Sequence, residues 1–121
     1  MSDFFAKVYV DTSLEHDRLL QVTADAVFGT VDDWTILADG VEIDVRPNDD
    51  FRSAYCTIDP DDFLYFPFAL DVESVTEAIT IDSFIALLSE VMNRLHVRGM
   101  RVVVACDWEG RLPGSGRLGF A

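Results

Sequence analysis

Between Thr80 and Cys106 the hydrophobic period of the chain changes once, at Gly99. Up to that glycine, Phe84, Leu87, Leu88, Val91, Met92 and Leu95 recur at the three-and-four spacing of one helix face. Thr80 is a suitable N-cap, and Arg94, His96 and Arg98 complement the negative end of the helix before Gly99 stops it. Beyond the glycine, Arg101-Val102-Val103-Val104-Ala105-Cys106 is an unbroken apolar run, the pattern of a central strand with neighbours on both sides. A one-sided helix feeding a buried strand needs a sheet to lie on, so the fold must contain a helix layer packed on a sheet layer.

The rest of the chain supplies the remaining elements. Ala6, Val8 and Val10 share one side of a strand, with Phe5, Lys7, Tyr9 and Asp11 on the other. Thr12, followed by Glu15, has the form of a capping box, and Leu20, Ala24, Val27 and Phe28 then repeat at helical spacing until Gly29 offers a left-handed stop. Residues 34–37 and 41–45 flank Ala38-Asp39-Gly40, whose Asp-Gly step predicts a tight hairpin. Val41, Ile43 and Val45 then face inward, while Glu42, Asp44 and Arg46 face water.

From Arg46 to Asp62 the prolines and aspartates predict a loop around a strand-like centre at residues 54–58. Residues 63–72 read as a strand broken at Pro67, whose missing N–H implies an edge position or a bulge. The glycines after Gly110, with Pro113, predict an irregular tail. The order strand, helix, strand hairpin, strand, helix, strand predicts an α+β fold of the ferredoxin-like, split β-α-β kind, with two helices on one face of a mostly antiparallel sheet. No repeat or linker divides residues 1–121, so one domain is expected.

Charge narrows the partners. Twenty-two acids against nine bases give a formal net charge of −13, which opposes binding to nucleic acid or to an anionic membrane; a basic partner is its physical complement, and a solvated surface that only maintains solubility accounts for it equally well. No apolar run is long enough to span a bilayer, and the first residues have no leader pattern, so the expected location is the cytoplasm. Cys56 and Cys106 belong to no CxxC or zinc-spaced cluster and are expected to be buried thiols.

Catalytic signatures are few. His16 and His96 lie in no recognisable motif and read as a polar residue at a helix start and a dipole partner at a helix end. The glycines form no phosphate loop, and Asp49, Asp50, Asp59, Asp61 and Asp62 lack the glycine and terminal glutamate of an EF-hand, so no metal or cofactor is expected. Two acid-flanked tryptophans stand out as candidate binding residues: Trp34 after Asp32-Asp33, and Trp108 between Asp107 and Glu109. Exposed aromatics would supply binding energy, and the acids would speed encounter with a cationic surface.

The segment from Gly99 to Pro113, with its valine-rich strand, Cys106-Asp107-Trp108-Glu109 and Leu112-Pro113, resembles the closing signature of a group of small, acidic, uncharacterised bacterial proteins, as do residues 65–72. Proteins of that size and acidity in turn resemble immunity proteins, which neutralise a toxin by covering its active site. The resemblance carries over no catalytic residue. It implies an interaction module that binds and occludes a basic, toxin-like protein or enzyme. A second reading is a small-ligand-binding or metal-assisted enzyme with a pocket near Tyr65, Asp107 and Glu109 at the end of the last strand. A third is a homodimer paired through an edge strand around Pro67.

Overall fold

Alternation in the first strand sets the sheet. In the structure, a computed structural model that describes residues 4–56 and 60–120, Ala6, Val8 and Val10 are buried while Phe5, Lys7, Tyr9 and Asp11 are not. The elements run β1 (Phe5–Asp11), α1 (His16–Val27), β2 (Thr30–Asp32), β3 (Thr35–Ala38), β4 (Val41–Pro47), β5 (Phe68–Ser74), α2 (Ile81–Val97), β6 (Arg101–Ala105) and β7 (Arg117–Leu118). Among the described residues the chain is α+β, with two α-helices and one antiparallel sheet of seven strands in the order β2-β3-β4-β5-β1-β6-β7. This sheet is wider than a four-stranded split β-α-β unit. The short strands β2 and β7 were not expected, having too few residues to show a period.

Both helices cover the same face of the sheet. Leu19, Val22 and Ala26 of α1 and Phe84, Leu88, Val91, Met92 and Leu95 of α2 share one buried cluster with Val8, Val10, Ile43, Val45, Leu70, Val72, Val102 and Val104. Helix α2 forms as the sequence predicts, its start fixed by Thr80 Oγ1 accepting from the Ser83 N–H at 3.1 Å. The Asp39-Gly40 hairpin also forms, both residues taking the positive φ of a type I′ turn, 44° and 81°.

Helix α1 departs from expectation at both ends. Glu15 occupies the N-cap without a side-chain bond, because Thr12 Oγ1 is already used by the Leu14 N–H at 3.1 Å in the turn before the helix. At the other end the left-handed residue is Phe28, φ 54°, rather than Gly29. The Gly29 N–H returns to Ala24 O at 2.9 Å and the Phe28 N–H to Asp25 O at 3.5 Å, the two bonds of a Schellman stop. Gly29 is needed for closeness instead, since a Cβ there would collide with Ile36 Cγ2.

The segment between β4 and β5 crosses the second face of the sheet. Ala54 and Tyr55 lie in a 3-10 turn, Ser53–Tyr55, not in a strand; residues 57–59 lie outside the described residues. Residues 60–65 form a second 3-10 turn, Pro60–Tyr65, so the expected strand starts only at Phe68. Pro67 therefore sits ahead of the ladder, where its missing N–H has no consequence, and β5 is internal, between β4 and β1. The edges are β2 and β7, so the strand after Pro67 has no free flank for the edge pairing that the third reading invoked. Asn48 ties the segment together, its Nδ2 donating to Leu64 O and Phe66 O at 2.9 and 2.7 Å. The thiols of Cys56 and Cys106 are half-buried rather than buried, because both sit on loops at the rim of the packed layers.

Candidate functional site

Strand register decides which polar side chains meet on the second face. Residues directly opposite in an antiparallel pair point to the same side, so the pairs Asp32↔Thr35, Thr35↔Asp44, Asp44↔Asp71 and Lys7↔Asp71 make one continuous cross-strand row. The neighbouring row is Thr30, Leu37, Glu42, Glu73 and Phe5. Within these rows Asp44 faces Asp71 and Glu42 faces Glu73, like charge against like charge. Together with Phe5 the four carboxylates line a shallow hollow of ≈ 140 Å³.

Cations balance only one row. Arg46 lies 3.3 Å from Asp44 and 4.0 Å from Asp71, and Thr35 Oγ1 donates to Asp44 at 2.6 Å. Among the described residues, no ion pair to Glu42 or Glu73 is formed. The face is bounded on the β6 side by the 47–67 segment, with Phe63 edge-on to Tyr9 at 4.9 Å. Phe66 there is buried beside Arg101, whose guanidinium lies 5.0 Å from its ring and 5.4 Å from that of Phe120.

The two acid-flanked tryptophans part company. Asp33 and Trp34 form the turn between β2 and β3, with Asp33 at φ 60°. Trp34 is 58% exposed. Its ring is nevertheless held from below: His16 lies edge-on at 5.8 Å, and the His16 Nε2–H donates to Val45 O at 2.7 Å. His16 is thus half-buried and bonded, not a free polar residue at a helix start. Asp32 belongs to the acidic row described above, whereas Trp34, opposite Val45 and against His16 of α1, lies on the helix side of the same corner.

Trp108 is turned inward, against the expectation of an exposed anchor. It packs edge-on to Phe4 and Phe84 at 5.7 and 6.1 Å, because the short 3-10 turn Glu109–Arg111 folds back over the start of α2 and Arg111 pairs with Asp82 at 2.6 Å. Asp107 and Glu109 remain exposed. Four strands separate β2 from β6, roughly 24 Å at the usual strand spacing, so the structure does not bring the two tryptophan motifs together.

A second, larger hollow of ≈ 740 Å³ opens between the end of α1 and the outer side of α2, lined by Val27, Phe28, Ile79, Ala86, Leu87 and Glu90 among others. Neither hollow is lined by Tyr65, Asp107 or Glu109; the Tyr65 ring lies tilted against that of Tyr55, centroids 5.0 Å apart. No group of three or more His, Cys, Asp or Glu among the described residues is placed to hold a metal ion. Burial pushes the Cys56 thiol up from its usual value, helped by the Asp11 charge and opposed by Arg101. Burial likewise raises Cys106, against a hydrogen bond from the Trp108 backbone. Both shifts act against the thiolate form that a nucleophilic cysteine needs.

The acidic rows were only half visible in the sequence. Glu42 and Asp44 face water by alternation, but pairing them with Asp71 and Glu73 requires the β4–β5 register, which depends on a connection of about twenty residues. No family model, curated protein or solved structure matches the chain. No helix among the described residues is long and apolar enough to cross a membrane.

Proposed function

We propose that this chain is an acidic interaction module of the immunity type, working in the cytoplasm, which docks on a basic, toxin-like protein and occludes it. The observation that carries the reading is four carboxylates gathered on one sheet face, of which Asp44 and Asp71 are balanced by Arg46 while Glu42 and Glu73 form no ion pair among the described residues. Carboxylates directly opposite on neighbouring strands oppose sheet formation, yet Glu42 faces Glu73 and Asp44 faces Asp71 on an open face, in a chain whose net charge is −13. A partner surface bearing Lys and Arg would relieve that repulsion on contact and be drawn in by it beforehand. Trp34, exposed at the sheet corner next to Asp32 but on its helix side, where His16 steadies it, is the aromatic anchor of this reading at the rim of that face.

The finer architecture belongs with it. We read β1-α1-β4-β5-α2-β6 as a ferredoxin-like split β-α-β unit with the β2–β3 hairpin inserted after α1 and β7 added at the edge. The sheet order β4-β5-β1-β6 and the shared helix face support this. The hairpin insertion is what carries Asp32, Asp33 and Trp34 to the rim of the acidic face.

Capture of a stoichiometric basic companion from native lysate, released by salt, is the first expected result. The decisive measurement is then its association rate with the Asp32→Lys/Glu73→Lys variant. The rate should fall and lose its salt dependence. An unchanged rate with unchanged salt dependence would sink the assignment of this face.

A further inference from the structure

Helix α1 ends on a residue that its own fold does not favour. Phe28 holds the left-handed position of a Schellman stop, φ 54°, where a Cβ is disfavoured and glycine is usual. Its ring gains no burial in exchange, being 90% exposed. Strained backbone under an exposed aromatic directs attention to what the side chain stands beside.

It stands at the ≈ 740 Å³ groove, a size suited to receiving a bound group. Val27, Ile79, Ala86 and Leu87 give the groove an apolar lining, and the charged side chains in that lining, Asp39 and Glu90, are both carboxylates. One Glu90 oxygen accepts from Arg94 Nε at 2.7 Å, leaving the other to a ligand. Along the groove the middle turns of α2 are internally bonded, and Gly40 O accepts from Val75 N at 2.8 Å. A helix brings its own bonds, so it needs only apolar contact and complementary charge from these walls. The acid excess selects against anionic lipid and for a cationic polypeptide.

We propose that this groove, rimmed by Phe28, receives the apolar face of a basic amphipathic helix on the partner protein, an inference that rests on the interaction-module reading above. Phe28 and Leu87 meet the apolar side chains of that helix, and Asp39 and Glu90 meet lysines or arginines on its flanks. The groove lies on the helix side of the molecule and the acidic rows on the opposite side, so this is a second contact, separable from the first.

The test is a titration of the full chain with a synthetic Leu/Lys peptide of about five turns, patterned with helical period. The same composition in scrambled order, and a Leu/Glu version, serve as controls. Expected are one-to-one binding of the patterned peptide and amide shifts clustered at residues 26–28, 76–79 and 83–90. Affinity should be at least about tenfold weaker in Ala86→Arg and in Phe28→Gly. Ala86 is exposed, so its variant should melt as the parent does, and Phe28→Gly should melt higher. Equal binding by both variants, or by the scrambled peptide, or shifts confined to the acidic sheet face, would overturn the proposal. So would a small cationic amphiphile that takes the groove when the peptide does not, or a concentration-dependent dimer abolished by Ala86→Arg. Because the peptide assay omits the natural partner, failure of Asp32→Lys/Glu73→Lys to slow the full complex would discredit the acidic face alone.

Discussion

Arg101 shows how much one side chain can fasten. Its Nε donates to Asp11 at 2.9 Å, its terminal nitrogen to Cys56 O at 3.1 Å, and its guanidinium faces the rings of Phe66 and Phe120. It thereby ties β6, β1, the 47–67 segment and the end of the chain into one cluster. A lysine keeps the charge but not the fork or the flat face. Arg101→Lys is expected to lower stability by about 2 kcal/mol, read from urea unfolding, with near-normal stability contradicting the clamp. The two thiols make a chemical prediction at the same scale. Since both are raised above the usual thiol range, thiolate appears only at higher pH. Alkylation of the folded chain at neutral pH should therefore be slower than that of the urea-unfolded chain at both Cys56 and Cys106, as followed by mass spectrometry. Little of this was legible residue by residue. Cys56 reads as a core thiol from its type, and only the loop that carries it, pinned by Asn48, puts it at the rim.

Elements whose signals are local formed as their residues dictate. The α2 stripe, its Thr80 cap and the Asp39-Gly40 turn each depend on neighbours within one or two turns of chain, and all are present. Thr80→Ala should lower stability by about 1 kcal/mol through the lost cap, with no effect indicating that the cap is idle. What depended on distant partners was not legible. Thr12 has the spacing of a capping box, but the chain turns once more before α1 begins, and the hydroxyl goes to Leu14. Trp108 looks exposed between two acids until the Glu109–Arg111 turn lays it against Phe84. The acidic rows belong to the same class, since they exist only in the β4–β5 register. Their energetic signature is testable on the free chain: Glu73→Lys should raise stability by about 0.5 kcal/mol in low salt by placing opposite charge across from Glu42. A loss of stability would mean that Glu73 is already compensated.

At the scale of the whole molecule, the net charge of −13 acts against compactness. The melting temperature is expected to rise between about 0.02 M and about 0.5 M sodium chloride as the carboxylates are screened, and a flat profile would show the repulsion to be balanced within the fold. Topology adds a different consequence. β1 is the first strand in the chain yet lies between β5 and β6, so its two hydrogen-bonding flanks are filled by Phe68–Ser74 and Arg101–Ala105. During vectorial synthesis the strand bearing Ala6, Val8 and Val10 has to wait, apolar and unladdered, until most of the other described elements have been made. The sheet closes from its middle only when Val102 and Val104 arrive. The β1–β6 ladder is thus the last pairing of β1 that synthesis from the N-terminus can complete.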